Sequence, residues 1–493
     1  MTFKEFKKLA AVHNIIPVYE KITADLLTPV LAYLKIREKN NYCFLLESVE
    51  GIGRFARYSF IGKNPSKIFY NAGHDLTIIE NGNKNLVQKN IFHYLKNEVD
   101  AFNAPSLSEL PDFTGGLVGY LGYENISQIE DVISFSDQNQ LNSADSFFGA
   151  FDDIIAFDHY THHIILISNT RIKKNYSLQK LFNKAQEKLQ QMKTELRRPL
   201  NLKIQFRLDS NSKHDDNPAK FFDVVEKAKQ NIYNGDVFQI VLSRRFSSRY
   251  DGDLLNVYRA LRMINPSPYM YFMEFFDDFR IIGTSPEDLL SVKDDVATIL
   301  PIAGTRKRGN TAASDQAMER ELLNDPKERA EHVMLVDLAR NDLGKVSQFN
   351  SVRITADMEV RRYSHVMHIV SRVEGTLKKD KNCVDALMAA FPAGTLTGAP
   401  KIRAIQLIED YEHIRRNVYG GAVGYMDYNQ NLDMCIAIRT LFADKNMVYW
   451  QAGAGIVADS DATLEYKEIN NKSAVMRSAL RYAEQLDEDF SYR

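Results

Sequence analysis

Four glutamates in two equal spacings are the first feature of this sequence with chemistry in it. Glu328 and Glu331 follow Asp325-Pro326, an N-cap and first-turn proline, and their i, i+3 spacing puts both on one helix face. Glu465, Glu468 and Lys472 stand at i, i+3 and i+7 in the last long helical stretch, which runs toward Leu486. Either pair alone reads as a solvated helix surface, because glutamate is a good helix former that favours first turns. The approach to the second pair, WQAGAGIVADSDAT, argues for more. Gly453, Ala454 and Gly455 make it poor in side chains, as backbone must be where it nears a ligand. If both glutamate faces line one cleft, their repulsion raises carboxyl pKa values unless a divalent cation lies between them. Few ligands, all oxygen, with room for a substrate carboxylate and water, suit Mg²⁺.

Arg439 sits in MCIAIRTLF, an apolar run that reads as a buried strand. A guanidinium there needs an anionic partner, either an internal Asp or Glu or a substrate carboxylate held in bidentate fashion. His368, in RYSHVMHIVSRVEG, is a general base or a satisfied histidine at a strand edge. Met263, Met270, Met273 and their aromatic neighbours read as core packing. Gly51-Ile52-Gly53-Arg54-Phe55-Ala56 matches the dinucleotide pattern G-x-G-x-x-A, yet RYSFIGKNP follows it and offers no helix N-terminus for a pyrophosphate. It reads as a turn. No G-x-x-x-x-G-K-[ST] loop occurs, so nothing points to ATP.

The elements that position these residues fall into two parts. A chain of 493 residues exceeds one compact core, and 44% apolar with 26% charged residues is an ordinary globular profile. Residues 1–170 alternate apolar runs with turns, and NYCFLLES, DLTIIENGN, TGGLVGYLGY and DDIIAFDHYTHHIILIS read as strands. A helical stretch from about 175 to 198 precedes the polar DSNSKHDDNP, which marks the boundary. Residues 218–493 open with Asn217-Pro218 as helix start and Asn234-Gly235 as stop, then the strand VFQIVLSRRF. An α+β architecture is expected, β-rich first and mixed second. GGLVGY at 115–120 recurs as GGAVGY at 420–425, either a shared strand-and-bend element or a coincidence of glycines.

A balance of 62 basic and 64 acidic residues leaves no global field for nucleic acid or an anionic membrane. Cys43, Cys383 and Cys435 lie in apolar stretches without metal-ligand spacing, which points to a reducing cytoplasm. The N-terminal MTFKEFKKLAAVHNII lacks the apolar run of a signal peptide, and no run is long enough to span a bilayer. A soluble cytoplasmic protein is expected.

Across about 218–486, the segments PIAGTRKRG, ERAEHVMLVDLARNDLGKV, SHVMHIVSRVEG, FPAGTLTGAPK, GGAVGY, IAIRT and QAGAGIVADSDATLEYKEINNK closely resemble the chorismate-utilising enzymes. That family includes anthranilate synthase component I, aminodeoxychorismate synthase component I, and isochorismate and salicylate synthases. LLES at 45–48 and FTGGLVGYLGYE resemble its regulatory domain more loosely.

The resemblance implies a two-domain fold of β-sheets flanked by helices, with residues 1–208 regulatory and 218–493 catalytic. It implies Glu331 and Glu468 as Mg²⁺ ligands, with Glu328 and Glu465 beside them. It assigns Gly304, Thr305, Tyr419, Arg439, Gly453, Ala454, Gly455 and Lys472 to the two carboxylates of chorismate. His368 and Thr395 fall near the ring, and Glu287 of GTSPE matches the acid that assists loss of the C4 hydroxyl.

Two positions choose among family members. Water-using members carry a lysine base where Gln239 stands, and an amide cannot deprotonate water. Aminodeoxychorismate synthases read PIKGT, with a lysine that attacks the ring, where this chain has Ala303. Ammonia addition followed by pyruvate loss, the anthranilate pattern, is therefore expected, with aminodeoxychorismate synthesis and a non-catalytic amino-acid sensor as the alternatives. No cysteine sits in a Gly-x-Cys-x-Gly turn, so a separate glutamine amidotransferase subunit is expected to supply the ammonia. Ser48 of LLES, with Pro268, Tyr269 and Met270 of NPSPYM, resembles the segments that enclose tryptophan as feedback inhibitor.

Overall fold

Alternation and apolar runs become strands at the places the sequence marks. In the computed structural model, which describes residues 1–38, 41–48, 57–136, 141, 143–173, 176–209, 218–276, 279–362, 366–486 and 489–491, NYCFLLES supplies Cys43–Glu47 and DLTIIENGN supplies Asp75–Glu80. The longer DDIIAFDHYTHHIILIS folds into two strands, Asp153–Asp158 and His163–Arg171. Leu178–Arg197 is the expected helix, and Pro218–Tyr233 starts at its proline. The G-x-G-x-x-A match at 51–56, Asn217 and most of the polar boundary segment lie outside the described residues.

Two twelve-stranded antiparallel sheets stack face to face, and both are woven from the two sequence halves. In the first sheet, Cys43–Glu47 pairs with Tyr269–Glu274, Leu45 opposite Phe272. In the second, Gly116–Leu121 pairs with Ala422–Asp427. The two GG-x-VGY segments are thus neighbours, Gly119 directly opposite Gly424. Aromatic side chains such as Phe44, Phe151, Tyr271 and Phe442 fill the layer between the sheets, each contributing roughly 1.5–3 kcal/mol on burial. Helices cover the outer faces: Leu178–Arg197 and Ala462–Ala483 on the first sheet, Pro326–Val346 and Cys383–Ala390 on the second. No helix among the described residues is long and apolar enough to cross a membrane.

One expectation fails here. MCIAIRTLF is not a single buried strand: Leu432–Ile436 belongs to the second sheet and Thr440–Asp444 to the first. The chain crosses between sheets at 437–439, and Arg439 takes φ +48° at the corner. A non-glycine residue in that region carries strain of about 1–3 kcal/mol, which persists where the surroundings enforce it. They do so here, since Thr284 N–H donates to the Arg439 carbonyl at 3.1 Å and Ser285 Oγ to that of Ile436 at 2.7 Å.

Candidate active site

A cavity of about 730 Å³ opens beside this crossover and gathers residues from both glutamate helices and from the PIAGT, SHVMHIV, FPAGTLTG, IAIRT and QAGAG segments. Helix Pro326–Val346 brings Glu331 to one side, and Asp325 caps it by accepting from the backbone N–H groups of Lys327 and Glu328. Helix Ala462–Ala483 brings Glu465, Glu468 and Lys472, capped in the same way by Asp461. The mutual influence of the two helices is visible in their carboxyls. Glu331 is shifted upward by desolvation first, then by the charges of Glu328 and Glu468. Glu465 is raised by desolvation and by Glu468, against a hydrogen bond from Ser460.

Oxygen-only donors that destabilise one another across a cleft fit a hard divalent cation. Among the described residues no three His, Cys, Asp or Glu side chains converge into a closed cage. The donor set suits an open site completed by substrate and water. Glu328 stands behind it, held at 3.0 Å by Arg306, which also bonds Asp325 and Glu321.

The opposite wall is drier. Glu287 follows strand Arg280–Ser285 and accepts a hydrogen bond from Thr395 Oγ1 at 2.9 Å. Burial pushes its carboxyl up to about 7, against the opposing pull of Thr395, Lys472 and Arg439. His368, on strand Val366–Thr376, bonds through Nδ1 to the Gly304 carbonyl at 2.8 Å and to Thr305 Oγ1 at 3.1 Å. A carbonyl only accepts, so Nδ1 carries the proton and Nε2 the basic lone pair. Burial lowers the imidazole pKa and keeps that tautomer neutral.

Between the two walls the cavity is built for anions. Arg439 is exposed to it from its corner and not buried in a strand, so the desolvation argument for a permanent internal partner falls away. Lys472 donates to the Gly453 carbonyl at 3.1 Å and pairs with Glu468 at 2.7 Å. A β-carbon at position 453 would lie 2.7 Å from the Tyr419 hydroxyl, and one on Gly304, at φ +64°, would lie 2.8 Å from Leu322 Cδ1 and 3.1 Å from Glu328 Oε2. Both glycines let neighbouring side chains pack against the backbone that lines the cavity. Gly455 lines the cavity too, while the side chain of Ala454 points into the core at 1% exposure. Gln239 and Ala303, the discriminating positions, are both in the lining.

The tryptophan segments are placed less simply. Pro268 lines the far end of this same cavity. Ser48 Oγ is buried with no hydrogen-bond partner among the described residues. Tyr269 turns away, donating to Asp433 at 2.9 Å, and Met270 lies in the core at 1% exposure.

Two positioning residues escape the sequence reading. Arg306 organises the start of helix Pro326–Val346, and no local signal finds it, since the register of Ile302–Lys307 against Val366–Thr376 shifts between Ala303 and Arg306. Arg416, 1% exposed, pairs with Glu412 at 2.6 Å and donates to the Leu396 carbonyl at 2.6 Å, fixing the turn that carries Thr395. Its i, i+4 glutamate is the only local hint.

Residues 43–478 match the family described as chorismate binding enzyme. The chain is 42% identical to anthranilate synthase component 1 of Acetivibrio thermocellus, with 98% of each chain covered. It is 40% identical to that of Aquifex aeolicus, with 99% of each covered. The solved structure of anthranilate synthase component I from Streptococcus pneumoniae superposes with a TM-score of 0.73 at 36% identity, covering 93% of this chain and 99% of that one. The menaquinone-specific isochorismate synthase of Escherichia coli shares the fold at a TM-score of 0.70 and 19% identity, with 97% and 98% covered.

Proposed function

This chain belongs to the chorismate-binding enzymes, and on that premise we propose that it converts chorismate and ammonia to anthranilate and pyruvate as the large component of an anthranilate synthase. The observation that carries the reading is that one cavity joins Glu287, bonded by Thr395 and raised by burial, with His368, anchored through Nδ1 on the Gly304 carbonyl, faced by the Glu331 and Glu468 helices.

Arg439, Lys472, Tyr419, Thr305 and the backbone at Gly304, Gly453 and Gly455 hold the two carboxylates of chorismate. Glu331 and Glu468 would hold Mg²⁺, with Glu328 and Glu465 in support, and the cation would supply positive charge that draws electrons toward the ring carboxylate. Ammonia adds at C2, the ring double bonds shift, and the C4–O bond breaks as Glu287 gives its proton to the departing oxygen, which leaves as water. Thr395 keeps Glu287 aimed at that oxygen. His368 Nε2 then takes the C2 proton, the C3–O bond breaks, and the side chain departs as enolpyruvate, which becomes pyruvate. Aromatisation drives the step.

Gln239 and Ala303 favour ammonia addition with pyruvate loss over the alternatives. Ammonia comes from glutamine through a partner amidotransferase subunit, because this chain has no thiol suited to attack glutamine. All three cysteines are buried, and burial pushes Cys43 up to about 12 and the other two up as well. Free buried thiols suit the cytoplasm. In this reading residues 1–208 form the regulatory part and 218–493 the catalytic part. Tryptophan binds near Ser48 and 265–270 as feedback inhibitor, with the unpartnered Ser48 hydroxyl as one of its anchors.

Incubation with chorismate, ammonium and Mg²⁺, followed by product mass, fluorescence and pyruvate assay, tests the reaction. Anthranilate with stoichiometric pyruvate is expected, and an amine retaining the enolpyruvyl group overturns the reading. Ser48→Phe is expected to remove tryptophan inhibition while sparing turnover, and undiminished inhibition refutes the regulatory site.

A further inference from the structure

Helix Pro326–Val346 is seated on the second sheet by an apolar stripe that begins only at Leu335 and Val336 and continues through Ala339, Leu343 and Val346. Glu328 and Glu331 come before that stripe. Among the described residues 326–334 the one buried side chain is His332, 0% exposed and next in sequence to Glu331. Its Nε2 bonds Ser371 Oγ at 2.7 Å, and its Nδ1 has no hydrogen-bond partner among the described residues. The ring is tethered by one polar bond.

The strand side of that bond is shaped to receive it. Ser371 is fully buried in strand Val366–Thr376, three residues from His368. The neighbouring strand Arg353–Arg362 shifts register between Ala356 and Glu359, with Met358 at φ +49°. This bulge turns the Met358 N–H to Ser371 Oγ at 2.9 Å and brings Asp357 Oδ1 within 3.3 Å of the same atom. A hydroxyl has one proton and two lone pairs. The Asp357 carboxylate only accepts, so it takes the proton, and the Met358 N–H and His332 Nε2–H fill the lone pairs. Ser371 is thereby fully committed, and its bond to His332 has a fixed direction.

We propose that His332 is the positioning residue of the cation site: its bond to Ser371 sets the rotation of the helix at Glu331 and ties it to the strand that carries His368. The inference rests on the reading that Glu331 and Glu468 hold a divalent cation. Helical side chains extend to about 5–6 Å from the axis, so a rotation of about 10° carries the Glu331 oxygens by roughly 1 Å. Mg²⁺ takes its oxygens at about 2.0–2.1 Å in a near-ideal geometry, which a shift of that size destroys. Arg306 fixes Asp325 and Glu328 in the first turn, and Glu331 lies in the next, where His332 is the buried anchor.

Mn²⁺ serves as the probe, its free ion counted by electron paramagnetic resonance, beside the Mg²⁺ dependence of turnover with chorismate and ammonium. His332→Leu fills the space and loses the bond, Ser371→Ala loses it from the other side, and His332→Gln keeps an Nε2–H donor. The leucine and alanine variants are expected to weaken Mn²⁺ binding and raise the Mg²⁺ activation constant about tenfold or more, with the ammonium KM within about twofold of wild type. The double variant is expected to be no worse than the poorer single one, because both delete the same bond. His332→Gln is expected to stay within about threefold of wild type. A purely structural histidine lowers the melting temperature and leaves the cation constants alone. A folded His332→Leu or Ser371→Ala protein that binds Mn²⁺ as wild type does therefore overturns the proposal, and so does a double variant whose losses add in full. Wild type separates the two levels: if it binds no Mn²⁺ the cation reading falls and the proposal with it, whereas wild-type binding matched by the variants removes the role of His332 alone.

Discussion

The cavity has two acidic walls made of the same residue and prepared for opposite work. Glu287 is half-buried beside one hydroxyl and desolvation pushes it up to about 7, which in the proposed reaction gives it a proton to donate. Glu331, Glu465 and Glu468 stand on two helices over an open cleft, where each carboxylate is the other's problem until a cation joins them. What distinguishes donor from ligand is the wall: how many charges share it, and how far water is excluded.

The largest effect is expected where the open wall is broken. Glu331→Gln or Glu468→Gln is expected to cut turnover by at least about a thousandfold, since several kcal/mol of charge stabilisation goes with the cation. The fold is kept, because both side chains face the cavity. Activity that survives EDTA in either variant would erase the contrast between the walls. Breaking the dry wall costs less: Glu287→Gln is expected to lower kcat by about 10²–10⁴ while chorismate affinity, read by calorimetry, stays near wild type. Loss of binding instead would make Glu287 a ligand group like the others.

Arg439→Ala tests the ground between them and is expected to raise the chorismate KM about 10- to 100-fold, for a charged hydrogen bond worth roughly 1.5–3 kcal/mol. An unchanged KM would leave the arginine a mere corner residue. The smallest effect is on pH. In the proposed reaction Glu287 serves only when protonated, and its raised pKa carries that form up to about 7, so the rate per free ammonia is expected to fall as pH rises through that region. His368, as the proposed base, serves only when neutral, and burial lowers its pKa below the usual imidazole value, so its limb is expected only as pH falls further. Removing the hydroxyl with Thr395→Val deletes a bond that lowers Glu287 and is expected to move the upper midpoint upward. A midpoint that stays put means Thr395 does not tune the acid.

What the sequence made legible was local. Helix starts at Pro326 and Pro218, the shared face of Glu328 and Glu331, and most strands follow from spacing and caps that act within a few residues. The break at 437–439 did not show, because no glycine or proline marks it and the apolar run continues across it. Its cause is tertiary, two sheets each claiming one end of the segment. Periodicity also says nothing about which strands meet, so residues read as two successive units proved to share both sheets. The dry wall is another such case: nothing near Glu287 in sequence announces Thr395, 108 residues on.

That interleaving bears on how the chain comes off the ribosome. Strands Cys43–Glu47 and Gly116–Leu121 each leave an edge waiting for a partner in the second half, Tyr269–Glu274 and Ala422–Asp427. At a synthesis rate of about 5–20 residues per second the second wait lasts on the order of tens of seconds. Unpaired β-edges recruit other strands meanwhile, and contacts so distant in sequence form slowly. The first half is therefore expected to be an obligate client of nascent-chain chaperones. Severing the gene at the polar boundary is expected to yield two aggregating fragments that recover a soluble enzyme only when made together.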